Sequence, residues 1–184
     1  LIVKYPNSLI GHKCLAEIYE KEEKYELSLE EYEKVYELKP EDEKIYLKIG
    51  KLYGNVGRED EAISIFNDIL RRKPDYYEAS LILADILNSK KEFKDAVQVY
   101  MNALRYRSAD YNLYYNLGMT YTLLNDFSKA KECYEKAAQI NSDLYHARYS
   151  LGQLNLLYSD LDEAEKYFME CIDAEEVEAG AYYY

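Results

Sequence analysis

Three lysines are spaced so that their ammonium groups could bind a ligand together. They are separated by four and three residues, so on a helix they share one stripe of the surface. A row of ammonium groups could hold a carboxylate or a phosphate on a partner. In the alternative interpretation, the acidic residues Glu17, Glu20 and Asp85 on neighbouring helices neutralise them. The lysines are Lys44, Lys48 and Lys51.

A second group combines side-chain amides with aromatic and apolar side chains. An amide both donates and accepts hydrogen bonds, which matches the backbone of an extended peptide whatever its sequence. Tyrosine adds flat contact area at low entropic cost, and Met119 with Leu157 would form an apolar pocket. We predict that this group grips an extended or short helical segment; the alternative is a solvated surface with tyrosines packed between helices. Its members are Asn112, Tyr115, Asn116, Met119, Tyr149 and Gln153.

Motifs for catalysis or metal binding are missing from the sequence. There are two histidines, His12 and His146, and they are far apart along the chain. The sequence has no His-Glu-x-x-His, no glycine-rich phosphate loop and no Gly-x-Ser-x-Gly. Asp160, Asp162 and Glu163 lack the glycine and terminal glutamate of a calcium loop, so they favour a helix N-terminus. We expect no catalytic residue, metal, cofactor or small-molecule substrate, and predict that the chain is not an enzyme.

The composition excludes several classes of protein. Lysine and arginine total 23 and aspartate and glutamate 35, which gives a formal charge of −12. Non-specific binding to nucleic acid or to anionic lipid needs positive charge, so we expect neither as a partner. Hydrophobic residues make up 48% of the chain, too many for a disordered acidic tail.

The cysteines indicate a compartment. Cys14, Cys133 and Cys171 are odd in number, far apart and without a Cys-x-x-Cys pair. This usage favours small buried side chains in a reducing compartment, the cytoplasm, over a disulfide or a metal site. No apolar run approaches the ~20 residues that a membrane span needs.

The elements that position these residues follow from an internal repeat. Shifting the chain by 34 residues aligns it with itself. One aligned position holds small residues, a second holds aromatic residues, and a third begins with prolines. These positions are Ala16, Gly50, Ala84, Gly118 and Gly152; Tyr32, Phe66, Tyr100, Tyr134 and Phe168; and Pro6, Pro40 and Pro74. The predicted repeats are 9–42, 43–76, 77–110, 111–144 and 145–178, with 1–8 ending a preceding repeat and 179–184 starting a following one.

Each repeat predicts two antiparallel helices. Large apolar residues recur three or four apart, which is the helical period, and a turn signal such as Gly57-Arg58 divides the repeat. The small residues would let the two helices approach closely, the aromatic residues would fill the gap between repeats, and proline would end the second helix. Charged pairs, Glu20 with Lys24 and Glu30 with Lys34, would support the exposed faces.

The pattern resembles the tetratricopeptide repeat, whose signature is Trp-x2-Leu-Gly-x2-Tyr, then Ala-x3-Phe, then Pro. In the best-matching repeat the residues are Tyr46, Ile49, Gly50, Tyr53, Ala62, Phe66 and Pro74. The resemblance implies an all-α protein, a right-handed α-solenoid or superhelix of antiparallel helix pairs. It also implies a concave wall formed by the first helix of each pair, which would carry the lysines, the amide and aromatic group, and Leu47. Glu17, Leu47 and Ile82 depart from the family's clamp for a C-terminal carboxylate, so that role is not expected.

We therefore predict a non-catalytic protein-interaction module, an adaptor or scaffold that binds a peptide or partner segment in the concave groove. Two alternatives stay open. The chain could be a structural array that forms a homo-oligomer through its exposed ends, where Tyr182 to Tyr184 lie, or the binding domain of a larger enzyme or membrane-anchored protein. The unfinished repeats at both ends lead us to expect a segment of a longer array.

Overall fold

The computed structural model describes residues 7–141 and 145–181, with side chains described through residue 172. All regular secondary structure in these ranges is α-helical. None of the helices described there combines the length and hydrophobicity needed to cross a bilayer. The helices are α1 (Leu9–Lys21), α2 (Tyr25–Leu38), α3 (Glu43–Asn55), α4 (Glu59–Arg72), α5 (Tyr77–Ser89), α6 (Phe93–Leu104), α7 (Tyr111–Leu123), α8 (Phe127–Ile140), α9 (Tyr145–Leu157) and α10 (Leu161–Ala181).

The chain divides into two compact units. The N-terminal unit, Leu1–Lys90, contains α1 to α5, and the C-terminal unit, Lys91–Tyr184, contains α6 to α10. Within each unit, every helix packs against the helix before it and the helix after it in the chain. This stacking buries apolar faces that a single helix pair would leave exposed to water.

Side-chain caps fix where several helices begin. Ser8, Asp42 and Asp110 each accept a hydrogen bond from the backbone N–H three residues further on, at 3.2, 3.3 and 3.0 Å. These bonds satisfy N–H groups that have no partner inside the helix. Asp160 accepts the N–H of Glu163 at 3.3 Å in the same way. The acidic group before α10 therefore caps a helix, as the sequence favours.

A residue with left-handed backbone lies in the turn inside each repeat. Only one of the five is glycine, and consecutive members are 34 residues apart. A side chain in this conformation brings Cβ close to the following carbonyl oxygen, which is why glycine adopts it most easily. The residues are Glu23, Gly57, Lys91, Asn125 and Ser159, with φ of 57°, 76°, 63°, 58° and 59°.

Proline accounts for the end of some second helices but not all. In the N-terminal unit, α2 and α4 stop just before Pro40 and Pro74. In the C-terminal unit, Glu176 occupies the proline position and α10 continues unbroken through Ala181. The helix start that we expected at residue 179 is therefore not present. Residues 1–6 and 182–184, which hold most of the predicted flanking repeats, lie outside the described residues.

Small and aromatic residues of one repeat meet in the C-terminal unit. A Cβ atom on Gly118 would lie 2.7 Å from the ring of Tyr134, so a larger residue at this position would require the ring or the helices to shift. Tyr134 also belongs to a buried cluster with Leu151 and Leu154 of the next repeat. The aromatic position thus fills space within a repeat as well as between repeats.

The cysteines differ in burial. Cys133 is buried, and burial raises the pKa of its thiol to about 11. Cys171 is half-buried, whereas Cys14 is exposed, so the expectation of a buried side chain is wrong for Cys14. Cys14 occupies the repeat position of Lys48, which lies on a solvent-facing side of the first helix.

Candidate functional site

The predicted residues lie on one face of the first helix in each repeat. Because the period is 34 residues, Lys51 corresponds to Asp85, and Met119 corresponds to Gln153. We call this set the first-helix face. In the N-terminal unit it comprises Lys44, Lys48, Lys51, Asn55, Glu78, Leu81, Ile82, Asp85 and Ser89, and in the C-terminal unit Asn112, Tyr115, Asn116, Met119, Leu123, Tyr149, Gln153 and Leu157.

In the N-terminal unit this face forms an open groove of about 690 Å³. Helices α3 and α5 supply most of the lining, with one side chain each from α1 and α4. The volume lies within the range of ~300–1,000 Å³ that is usual for ligand pockets. The lining residues are Glu20, Lys48, Gly50, Lys51, Leu52, Gly54, Asn55, Glu59, Glu78, Leu81, Ile82, Asp85, Ile86 and Ser89.

Two of the three predicted lysines are engaged in ion pairs across the groove. Lys48 Nζ donates to Glu20 Oε2 of α1 at 2.7 Å, and Lys51 Nζ donates to Glu78 Oε1 of α5 at 2.5 Å. Both pairs are partly exposed, so each contributes about 1 kcal/mol or less to stability. Their main effect is to hold the ammonium groups beside carboxylates of the same unit.

Lys48 is part of a larger cluster that includes Tyr32. The Tyr32 hydroxyl donates to Glu20 Oε2 at 3.2 Å, and Lys48 Nζ lies 5.2 Å from the centre of the Tyr32 ring. Partial burial acts to lower the pKa of Lys48, but hydrogen bonds with Glu20 and Tyr32 outweigh it and raise that pKa. Lys48 therefore stays charged and fixed in position.

Lys44 and Leu47, the other α3 residues expected on the concave wall, differ in their exposure to solvent. Lys44 is exposed to solvent. Leu47 is buried, so its expected place on the wall is wrong. Leu47 lies about half a turn around α3 from Ile45, Ile49 and Leu52, which are buried as well, so α3 is covered by its neighbours on two sides.

In the C-terminal unit the first-helix face is uncharged and partly apolar. Met119 is 45% exposed on α7, and Tyr149 and Leu157 are 49% and 65% exposed on α9. Asn112 and Gln153 are exposed beside them, and Asn116 is half-buried. The structure thus brings the predicted amides and apolar groups to the surface of the same two helices.

The two predicted tyrosines are not equivalent. Tyr115 is half-buried, and its ring centre lies 5.7 Å from that of Tyr134 and 6.3 Å from that of His146. Tyr149 packs one edge against Phe168, at 5.7 Å between ring centres, and leaves about half of its surface in water. Tyr115 mainly joins helices, whereas Tyr149 is available to a partner.

Sequence reasoning named Glu17, Glu20 and Asp85 together as acids that could neutralise the lysines. Glu20 does pair with Lys48, but Glu78, the partner of Lys51, was missed. A usable signal was present in the spacing. Glu20 precedes Lys48 by 28 residues and Lys51 precedes Glu78 by 27. In this chain, opposite charges that are 27 or 28 residues apart, slightly less than one repeat, therefore indicate ion pairs between helices.

Another cluster of titratable groups lies between α1 and α2. His12 is only 5% exposed, and its Nδ1 lies 2.5 Å from Oε2 of Glu31, whose other oxygen accepts from Lys34 at 2.8 Å. Sequence reasoning did not find this cluster, although His12 stands where the repeat signature has tryptophan. Among the residues with described side chains, no three His, Cys, Asp or Glu converge to hold a metal ion.

Stacked helix pairs with an exposed face on their first helices define a helical-repeat protein of the kind that binds other proteins. Tetratricopeptide repeat family models match residues 111–144, residues 47–112, and residues 15–42 and 145–177. These matches cover most of the chain, which therefore belongs to the tetratricopeptide repeat family. The prediction of an all-α solenoid fold is confirmed. The family is a non-catalytic protein-interaction family.

Solved structures of MamA share this fold. One is 26% identical with a TM-score of 0.80, and the alignment covers 90% of this chain and 97% of that chain. Another is 25% identical with a TM-score of 0.81 and covers 94% of both chains. MamA from Desulfovibrio magneticus RS-1 is 21% identical with a TM-score of 0.79, covering 92% and 96%. A search of curated protein sequences found no match.

Proposed function

We propose that the chain binds a segment of a partner protein on its first-helix face, as an adaptor or scaffold, with the C-terminal unit making the apolar and amide contacts. The observation that carries the proposal is the exposure of Met119, Tyr149 and Leu157 on α7 and α9. Large apolar groups grouped with amides on one surface are typical of protein interaction sites. Membership of a protein-interaction family supports the same function.

The amides define how a partner would be held. Asn112, Asn116 and Gln153 can each donate and accept hydrogen bonds, so they fit backbone groups of an extended segment. Tyr149 offers a ring that is already held against Phe168, so little side-chain entropy is lost on binding. Met119 adapts its shape to different apolar side chains.

A paired set of variants tests this function. Asn116→Ala combined with Tyr149→Ala removes an amide and a ring from the face, and Asn102→Ala combined with Tyr106→Ala removes the same groups from exposed positions outside it. Proteins from the source organism would be captured on wild type and both variants and quantified by mass spectrometry.

We expect the face variant to lose specific partners that the control variant retains. If both residues are binding hot spots, purified partner should bind the face variant more weakly by ~2 kcal/mol, about 30-fold. Circular dichroism melting checks that both variants fold. Equal capture by the three proteins would contradict the proposal while leaving the fold unaffected.

Self-association is the alternative function, and α10 supplies the observation that favours it. Ile172 is 50% exposed on this helix, while the equivalent Ala138 of α8 is half-buried. An exposed apolar side chain at this position could meet a second copy. Light scattering over a range of concentrations tests this, and growth in mass that Ile172→Glu abolishes would favour it over partner binding.

A further inference from the structure

The three methionines of the chain all lie on its surface. Met101, Met119 and Met169 are 47%, 45% and 52% exposed. Methionine is a residue type that is usually buried, where its flexible thioether fills irregular gaps in a core. Here about half of each residue is open to water instead, so a dissolved oxidant can reach the thioether.

Met119 occupies a position of the repeat where the fold does not require an apolar side chain. The equivalent residues of the other four repeats are all polar and exposed, and they are Glu17, Lys51, Asp85 and Gln153. Each of these repeats forms its helix pair with a polar group at this position. A change in the polarity of Met119 should therefore leave the fold intact and alter only what the surface can bind.

Met101 and Met169 share a different position, on the second helix of their repeats. They lie on α6 and α10, outside the first-helix face, and they are two repeats apart. The hydroxyl of Tyr121 lies 3.9 Å from the sulfur of Met101. Because their exposure is close to that of Met119, these two residues are matched controls for oxidation at a site away from the face.

Oxidation would make Met119 polar. The sulfur lone pair attacks one oxygen of hydrogen peroxide, the O–O bond breaks, and the second oxygen leaves as water with the proton of the first. The sulfur loses two electrons and becomes a sulfoxide, and the peroxide is reduced. Burying the sulfoxide oxygen under a partner costs free energy unless a donor meets it. The large groups exposed on the same face, Tyr149 and Leu157, favour an apolar partner surface that offers no such donor.

We propose that Met119 is an oxidation-sensitive site, at which a peroxide forms a sulfoxide that weakens partner binding to the C-terminal unit. The proposal rests on the proposed function, because it adds regulation to the same face. It is carried by an exposed thioether on the face of Tyr149 and Leu157, at a position where other repeats hold polar side chains. Methionine sulfoxide reductases reverse the reaction, so binding is switched off reversibly.

Partner capture before and after oxidation tests the proposal. The probe is the set of source-organism proteins that wild type captures and that the Asn116→Ala with Tyr149→Ala variant loses. The whole chain is treated with hydrogen peroxide until peptide mass spectrometry shows sulfoxide at all three methionines. We expect the oxidised protein to capture at least about tenfold less of the probe. Methionine sulfoxide reductase should restore capture, whereas dithiothreitol alone, which reverses only the milder oxidation of cysteines, should not.

Two variants separate Met119 from the other methionines and from the cysteines. Met101→Leu combined with Met169→Leu leaves Met119 as the single methionine, and this variant should capture the probe like wild type until it is oxidised. In Met119→Leu, which keeps every cysteine, peroxide should change the captured amount by less than about twofold relative to the untreated variant. Circular dichroism should show the same helix content before and after oxidation.

The outcomes separate this inference from the proposed function. Undiminished capture by the oxidised wild type, or by oxidised Met101→Leu with Met169→Leu, would overturn the inference and leave the proposed function standing. An equal loss in Met119→Leu, a loss that the reductase does not reverse, or a loss of helix content on oxidation would do the same. If wild type captures no protein that the Asn116→Ala with Tyr149→Ala variant loses, the proposed function itself fails, and the inference fails with it.

Discussion

At the scale of single residues, the turn inside each repeat needs one residue with left-handed backbone, and the residue types at this position differ in how easily they adopt it. The residue at this position is left-handed in every repeat, yet only Gly57 avoids the steric cost of a Cβ atom. Asn125 tolerates the conformation because its short polar side chain can bond locally. Glu23 and Lys91 have long side chains instead, so each bears the steric cost of its Cβ atom.

Two glycines of one repeat provide a matched test of this argument. A Cβ atom would meet nothing within 4 Å at either Gly54 or Gly57, but Gly57 has φ of 76° and Gly54 lies in α3. We expect Gly57→Ala to lower the free energy of unfolding by about 1 kcal/mol and Gly54→Ala to raise it by about 0.5 kcal/mol. Urea denaturation measures both, and changes of the same sign would contradict the explanation.

Glu31 gives a pH dependence with a defined sign. Burial acts to raise the pKa of Glu31, but hydrogen bonds from Lys34 and His12 outweigh it and lower that pKa below the ordinary 4.5. A carboxyl with a lowered folded pKa stabilises the protein above its unfolded pKa, and this contribution is lost as pH falls through the folded value.

We therefore expect Glu31→Gln to be less stable than wild type by about 1 kcal/mol at pH 7. The difference should shrink as pH falls below 4.5, because wild-type Glu31 then becomes neutral too. Urea denaturation at several pH values measures it, with Glu30→Gln as the exposed control. A stability difference that grows toward acid pH would show that the charged form of Glu31 does not stabilise the folded protein.

At the scale of helices, close approach rather than helix propensity explains the small residues of the repeat. Gly118 lies on α7 against the ring of Tyr134 on α8, with 2.7 Å between that ring and a built Cβ atom. Since Tyr134 is buried, its ring has little room to move away.

A double-mutant cycle tests this contact. Gly118→Ala should lower the free energy of unfolding by about 1–3 kcal/mol in the wild-type background, because it overpacks the α7–α8 contact. In a Tyr134→Leu background the same change should cost at least about 1 kcal/mol less. The same cost in both backgrounds would mean that the contact with Tyr134 is not what requires glycine.

The sequence predicted the helices well and their charged contacts poorly. A repeated apolar period and turn signals determine each helix locally, so the pairs could be predicted. Ion pairs depend on neighbouring helices: Glu20 pairs with Lys48 rather than Lys24, and Lys34 pairs with Glu31 rather than Glu30. Long flexible side chains choose among several nearby partners, and those partners are known only after the helices have packed.

The distinction between helices, which local sequence determines, and contacts, which depend on packing, also explains how much of the site could be predicted. The period placed the amide and aromatic group on the first helices, and the structure exposes Met119 and Tyr149 there. It left open whether carboxylates pair with Lys48 and Lys51, and it did not show that Leu47 is buried. These outcomes depend on the rotation of each helix against its neighbours, which a shift of the sequence by 34 residues does not determine.

At the scale of the whole molecule, the stability of a repeat fold is approximately the sum of the stabilities of its repeats and of the interfaces between neighbouring repeats. In a helical-repeat protein, each repeat contacts only its neighbours, so a defect weakens nearby repeats most. The chain forms two compact units, and equivalent aromatic residues lie in both: Phe66 in the N-terminal unit and Tyr134 in the C-terminal unit. Both are buried, so replacing either with alanine leaves a comparable cavity.

Hydrogen exchange by mass spectrometry can show whether unfolding follows this pattern. Tyr134→Ala should lower the opening free energy of α7 to α10 by about 3 kcal/mol, and that of α1 to α4 by less than about 0.5 kcal/mol. Phe66→Ala should give the reverse distribution, because the same cavity then lies in the N-terminal unit. If either variant lowered protection equally along the chain, the molecule would unfold as one cooperative block. In that case a partner bound to one part of the first-helix face would stabilise every helix alike, whereas local opening confines the effect to the unit that the partner touches.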